Sequence, residues 1–231
     1  MVTIRINKYL ASQGLASRRQ VDELIHQEII TINGNLAKPG DKIDPIIDKI
    51  FIDNQEFIPV VQTPIYIMLH KPMDYVTTAF PQKYQKSVFE LIDNSIRLFP
   101  VGRLDKNTTG LLLFTNDGEL TYRLTHPRFE KTKSYTVRHT GVKVDQLQHI
   151  ADGVVLDGAF TSPAKIKTQD SSQFEITIHE GRNRQIRRMC EQVGIELVSL
   201  HRHEFHGLFL GDLPLGRWRY LTKQEIILLQ H

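Results

Sequence analysis

Asp105 and a run of four arginines are where this chain has the means to do chemistry. In PVGRLDKNTTG (residues 100–110) the aspartate follows a Gly-Arg-Leu step and precedes Lys106, Asn107 and two threonines. A loop aspartate among turn formers commonly caps a turn or pairs with a neighbouring cation. Held ionised in a pocket, the same group is a nucleophile or a base. In GRNRQIRRM (181–189), Arg182, Arg184, Arg187 and Arg188 crowd one short stretch. On a helix from about residue 184, Arg184 and Arg188 share a face while Arg187 turns toward Ile186 and Met189. An arginine on the apolar side of a helix needs a buried acid, because an unpaired buried charge is expensive. Asp105 is a fitting partner, and the pairing would favour its charged form.

Three further groups stand out. Tyr135 lies in SYTVRH after a basic approach (Arg128, Lys131, Lys133); a strand tyrosine is either core or a stacking surface for an extruded base. Lys71, in HKPMDYV, ends a strand and suits a phosphate contact or a simple terminus. His201, His203 and His206 follow the arginines, and a strand would put the first two on one side. No cysteine or carboxylate set completes a metal site there, so a solvated or RNA-facing role is expected, with no metal and no cofactor. Walker-type phosphate loops, nucleophile elbows and zinc-deaminase patterns are absent from the sequence.

These groups need a scaffold, and the composition allows one. The 231 residues are 40% hydrophobic and 24% charged, with net charge +3, which describes a globular chain of one large or two smaller domains. Cys190 is the single cysteine, so no intramolecular disulfide forms, as suits a reducing cytosol. No stretch reaches the roughly 20 apolar residues of a membrane span, and the first residues lack the apolar core of a secretion signal. A cytoplasmic location without membrane association follows as the expectation, and a monomer is the default.

The chain divides by pattern. IRINKYLASQGLASRRQVDELIHQ reads as two short helices, the first stopped at Gly14 and the second capped by Ser17. IITING then alternates into an Asn33-Gly34 turn, and KIFIDNQEF supplies a further strand. Residues 1–60 form a small α+β domain on this reading, too small for a secure core alone. Its bases gather early: Arg5, Lys8, Arg18 and Arg19, the last two at a helix start where the dipole also favours phosphate. PVVQTP (59–64) reads as a linker. From residue 64 to 231, strands (IYIMLHKP, GLLLFT, SYTVRH, FEITIH) interleave irregularly with helices near 86–93, 119–125 and after 184. That rhythm predicts an α+β domain with a mixed, largely antiparallel sheet.

Helix, Ser-Arg-Arg, helix, strand and Asn-Gly turn in residues 3–58 resemble the alpha-L, or S4-type, RNA-binding domain. Behind it, VGRLDKNTTGLLLFTNDGEL, KSYTV and HEGRNRQIRRM, in that order, resemble the RsuA/RluB family of ribosomal RNA pseudouridine synthases over nearly the whole chain. RLTHPRFEKTKSY and ITIHEGRNRQ look closer to members acting on the large ribosomal subunit. The small-subunit member and a non-catalytic RNA-binding assembly factor stand as alternatives.

The resemblance implies an isomerase that acts without cofactor on ribosomal RNA, in a pre-ribosomal particle or a stem-loop. It makes Asp105 the essential nucleophile or base, Arg187 its ion-pair partner, and Tyr135 and Ile186 the two walls around the target uracil. Arg103 would hold the space vacated by the flipped nucleotide, with Lys71, Arg182 and Arg184 as substrate contacts and Arg5, Lys8, Arg18 and Arg19 as RNA contacts. Three routes remain open: attack on the anomeric carbon, addition to carbon-6 of the base, or removal of a sugar proton toward a glycal. A glycoside-cleaving hydrolase using Asp105 is the rival from another class, and it would want a second carboxylate.

Overall fold

The structure, a computed structural model, describes residues 3–60, 62–92 and 96–231. It falls into two compact units, Met1–Pro64 and Ile65–His231.

In the first unit, helices Ile6–Ser12 and Arg18–His26 place Ile6, Tyr9, Leu10, Val21 and Ile25 in a shared core with Ile30, Ile43 and Ile50. Ser17 caps the second helix reciprocally with Gln20, its hydroxyl accepting from the Gln20 N–H at 3.1 Å while its own N–H reaches Oε1 at 2.9 Å. That box fixes where the helix starts and leaves Arg18 and Arg19 exposed on its first turn. A four-stranded antiparallel sheet follows, in the order Asn35–Leu36, Ile30–Ile32, Ile50–Ile52, Gln55–Glu56. Asn33 and Gly34 both take positive φ, +52° and +84°, as the tight turn requires. The end of the expected linker belongs to this unit, where the Gln62 amide donates to the Gln13 carbonyl at 3.2 Å.

The second unit is built on one large sheet. Its strands run in the order Lys165–Asp170, Gln173–Ile178, Lys133–His139, Leu197–Phe205, Thr108–Thr115, Tyr66–Lys71, Trp218–Tyr220. Phe99–Val101 and Leu208–Phe209 attach at the sides, through Thr108–Thr115 and Leu197–Phe205 respectively. Pairing is antiparallel except between Thr108–Thr115 and Leu197–Phe205, which run parallel. GLLLFT is buried on both faces, and so reads as a continuous apolar run. Leu112 and Phe114 face a core shared with Ile67, Leu69, Val137, Phe174 and Met189, while Leu111 and Leu113 face Leu120, Leu124, Leu208 and Leu229.

The helix expected near 86–93 is instead a two-residue strand, Lys86–Ser87, and a single 3-10 turn, Val88–Leu91; residue 93 lies outside the described residues. Ser87 and Glu90 close a capping box that starts the turn, but nothing propagates it. One turn is a costly nucleus without tertiary support for more.

Gly110 lets the parallel pair approach. Its φ is +116°, and a β-carbon there would sit 2.1 Å from the Arg202 carbonyl oxygen. Only glycine fits this position, which joins the strand behind Asp105 to the strand that carries Arg202.

Candidate active site

The loop carrying Asp105 is pinned from three sides. Leu104, just before it, is buried in the core, and its carbonyl accepts from Thr77 Oγ1 at 2.8 Å. The Asp105 carbonyl accepts from the Thr108 N–H at 3.0 Å, closing a tight turn. Below lies Lys71, fully buried, whose Nζ donates to the carbonyls of Pro72 (2.9 Å), Lys106 (3.3 Å) and Thr108 (2.8 Å). Three carbonyls around one ammonium satisfy all three of its donors. Burial still pushes this lysine down to about 8, against the field of Asp105 and then Asp74 that holds it up.

Of the two readings of Lys71, a phosphate contact or a strand terminus, its burial at the end of Tyr66–Lys71 removes the first and with it the substrate contact. The strand ends with its side chain turned under the Asp105 loop, where the loop's carbonyls are its ligands.

Arg187 comes from the helix Gln185–Gln192. Its Nη2 donates to the Asn107 carbonyl at 2.6 Å and lies 3.5 Å from Thr108 Oγ1. The expected ion pair with Asp105 does not form among the described residues. Of the carbonyls in this turn, that of Asn107 meets the helix, and the guanidinium binds backbone there in place of the carboxylate. Asp105 acts on Arg187 only through space: burial and then Arg184 pull its pKa down, and Asp105 opposes them. The carboxylate itself makes no hydrogen bond or ion pair among the described residues. It is half-buried and opens on a cavity of about 200 Å³.

That cavity gathers most of the residues singled out in the sequence. Arg103, Asp105, Tyr135, Arg182, Arg184 and Ile186 all line it. Tyr135 and Ile186 are buried, at 7% and 4% exposure, so they present walls rather than protrusions. Arg103 is exposed, and so is Arg184, which opens the helix from a left-handed conformation at φ +50°.

Arg182 is otherwise employed. Its Nη1 donates to the carbonyls of Leu156 (3.1 Å) and Ala159 (3.0 Å), its Nη2 donates to that of Phe160, and Nε lies 3.5 Å from Glu180. Its donors are spent on the 155–160 hairpin, which corrects its expected part as a substrate contact. Arg188 pairs with Asp157 at 2.6 Å.

The cavity also contains residues that the sequence reading did not assign: Lys133, Glu180, Gln185 and Arg202. Gln185 is buried and donates to Glu180 Oε1 at 2.6 Å while accepting from the Arg182 N–H at 2.9 Å, which shapes the GRNRQ loop. Arg202 is 2% exposed; its Nε donates to the Leu111 carbonyl at 2.8 Å and its guanidinium lies 6.0 Å from the Tyr135 ring centre. Strand alternation held the signal for it. The period that puts His201 and His203 on one face puts Leu200 and Arg202 on the other, toward Tyr135.

The histidines are tied to the sheet. His201 Nδ1 lies 2.8 Å from Thr109 Oγ1, and burial, with His70 and His203 near, lowers it to about 4. His203 bridges Thr136 and Glu175, each at 3.2 Å. Among the described residues no group of three metal-binding side chains converges, and no helix is long and apolar enough to cross a membrane.

Comparison with known proteins agrees with the geometry. Residues 65–192 match the RNA pseudouridylate synthase family and residues 4–45 the S4 domain. The chain is 35% identical to the ribosomal large subunit pseudouridine synthase B of Bacillus subtilis, over 96% of this chain and 93% of that one. It is 34% identical to the dual-specificity RNA pseudouridine synthase RluF of Escherichia coli strain K12, over 97% of this chain and 78% of that one. A crystal structure of a pseudouridylate synthase superposes with a TM-score of 0.73 at 31% identity, covering 98% of this chain and 99% of that one. The chain belongs to the RNA pseudouridine synthase family, RsuA/RluB type, isomerases that act on RNA, here with an S4 domain toward the N-terminus.

Proposed function

We propose that this enzyme isomerises a uridine of large-subunit ribosomal RNA to pseudouridine, with Asp105 as the group that acts on the sugar or the base. The observation that carries this reading is the unpaired Asp105 carboxylate lining one cavity together with Tyr135 and Ile186. Breaking the N-glycosidic bond and rejoining the ring through carbon-5 needs no redox change, so one carboxylate suffices. The loose base must stay put in between, and an aromatic wall opposite an aliphatic one retains it.

Lys71 and Arg187 fix the loop backbone, so Asp105 is presented without being neutralised by direct contact. Preorganisation of this kind lowers the barrier by positioning. Arg103 and Arg184, exposed at the cavity, suit the phosphates beside the extruded nucleotide, and Arg5, Lys8, Arg18 and Arg19 suit RNA binding by the small domain. The substrate is a stem-loop of ribosomal RNA, free or in a pre-ribosomal particle, met in the cytoplasm by a monomer.

Pseudouridine-specific chemical mapping of ribosomal RNA, with and without the protein, tests the assignment. Wild type is expected to add a mark in large-subunit RNA and Asp105→Asn none, with RNA binding kept. Turnover by Asp105→Asn would sink the assignment of Asp105. Glu180 is the second carboxylate in the cavity, so the same samples should be assayed for free uracil; a hydrolase would release it, and none is expected.

A further inference from the structure

Lys133 and Arg202 bring two positive charges to the cavity, and neither is neutralised there. The Lys133 ammonium makes one hydrogen bond, to the Lys131 carbonyl at 3.3 Å. Arg202 makes one, through Nε, and otherwise stacks near Tyr135 and Phe205, 6.0 and 5.3 Å from the ring centres. Among the described residues neither closes an ion pair. Glu180 is the nearby acid, but its oxygens are taken by Gln185, by the Ser162 N–H at 3.1 Å and by Arg182. Arg202 is buried and Lys133 half-buried; holding two cations there without a counter-charge is costly, so the site suits an anion.

Strand register tells which one. A shift between Ser134 and Tyr135 sets Tyr135 opposite Arg202, with Lys133 opposite Phe205. Both cations therefore lie beside Tyr135 in the cavity, within reach of a base held there.

Given an RNA pseudouridine synthase, on which this inference rests, the chemistry supplies the anion. When the bond from N1 to the anomeric carbon breaks, its electron pair stays with the base. That holds whether Asp105 bonds to the anomeric carbon or removes a sugar proton. The charge spreads over N1, O2 and O4. We propose that Lys133 and Arg202 hold the detached uracil as its anion until it rejoins the sugar through carbon-5. On rejoining, carbon-5 bonds to the anomeric carbon as the bond to Asp105 breaks, or as the sugar regains its proton. The carbon-5 hydrogen then leaves as a proton and N1 gains one, so no oxidant or co-reactant is needed. Donors preset for a developing anion lower the barrier most where water is excluded. The lowered pKa of Lys133, about 8 from burial and then Arg202, fits a site waiting for negative charge.

The test uses the full-length enzyme and in-vitro transcripts of large-subunit ribosomal RNA containing either uridine or 5-fluorouridine. Cleavage of the N-glycosidic bond is followed under single-turnover conditions, with RNA affinity measured on the same preparations. Wild-type turnover of the uridine transcript reports on the functional reading by itself. Lys133→Gln is expected to slow cleavage about 100-fold with affinity within about twofold, and Lys133→Arg to recover most of the rate. Fluorine stabilises the uracil anion intrinsically, so the deficit of Lys133→Gln should shrink about tenfold on the fluorinated transcript. A role confined to folding would give equal deficits on both transcripts, and that result overturns the proposal. So does an unchanged rate, or a loss lying wholly in affinity with a shallower salt dependence, which would make Lys133 a phosphate contact.

Discussion

Arg187 donates to the carbonyl of Asn107 at 2.6 Å, and so it steadies the loop that presents Asp105 without touching the carboxylate. Lys71 does the same from beneath, through the carbonyls of Lys106 and Thr108. The loop is held by its backbone between two cations, and its one acid is left free to react.

Arg187→Ala therefore should fail by misplacing the loop. Displacements of about 1 Å from the reacting position cost about 100-fold in rate. A drop of that size in kcat, with RNA affinity little changed, is expected in steady-state assays. Arg187→Lys keeps a donor and should retain part of the activity; a wild-type kcat for Arg187→Ala would show that the loop needs no such clamp.

Lys71→Met takes a donor from three carbonyls, of which that of Lys106 keeps the Asp74 N–H. Leaving buried acceptors unsatisfied costs about 1–3 kcal/mol each at most, and a net loss of about 3 kcal/mol is expected in urea unfolding of the intact chain. The pH dependence has a definite sign. Lys71 titrates at about 8 when folded and at 10.5 when exposed. Between those values the unfolded chain binds more protons, so this group adds stability as pH rises through that window. Wild type should gain on Lys71→Met from pH 8 to 10.5, and parallel curves would contradict the buried charge.

The rate should also fall on the alkaline side. Lys133 loses its charge near pH 8, where burial and Arg202 depress it against the pull of Glu180. Lys71 titrates in the same region, so the wild-type profile alone does not assign the limb. Lys133→Arg carries a charge that does not titrate there. Its alkaline limb should move well above pH 8 in single-turnover assays, whereas a limb that stays in place belongs to Lys71.

On the small domain, Arg18 and Arg19 lie exposed on the first turn of their helix. Replacing both with glutamine should weaken RNA binding across sequences and reduce the slope of log affinity against log salt by about 2, roughly one for each phosphate that goes unneutralised. An unchanged slope would mean that this helix faces away from the RNA.

Much of this site was legible in the sequence. Asp105, Tyr135 and Ile186 sit in motifs whose order announces them, and they share one cavity. Arg187 was rightly placed on the inner side of its helix, but its partner was misjudged, since carbonyl directions in a turn are not written in residue types. Lys71 and Arg182 look like surface cations to any local reading. Both are drawn inward by backbone oxygens from segments distant in the chain, which only tertiary structure reveals. Lys133 and Arg202 were hidden for a related reason: their meeting depends on a register shift between two strands, and alternation within either strand carries half the information.

The parallel pairing behind Asp105 has a consequence for how the enzyme comes into being. Thr109 meets His201, 92 positions later in the chain, and Arg187 reaches Asn107 across 80. Contacts of such separation form late, because a long loop must close before they repay its entropy. During synthesis Asp105 leaves the ribosome well before the helix and strand that complete its setting. The small N-terminal domain, whose buried cluster is drawn from its own residues, has by then emerged whole. A nascent chain thus has the means to bind RNA before it can act on it.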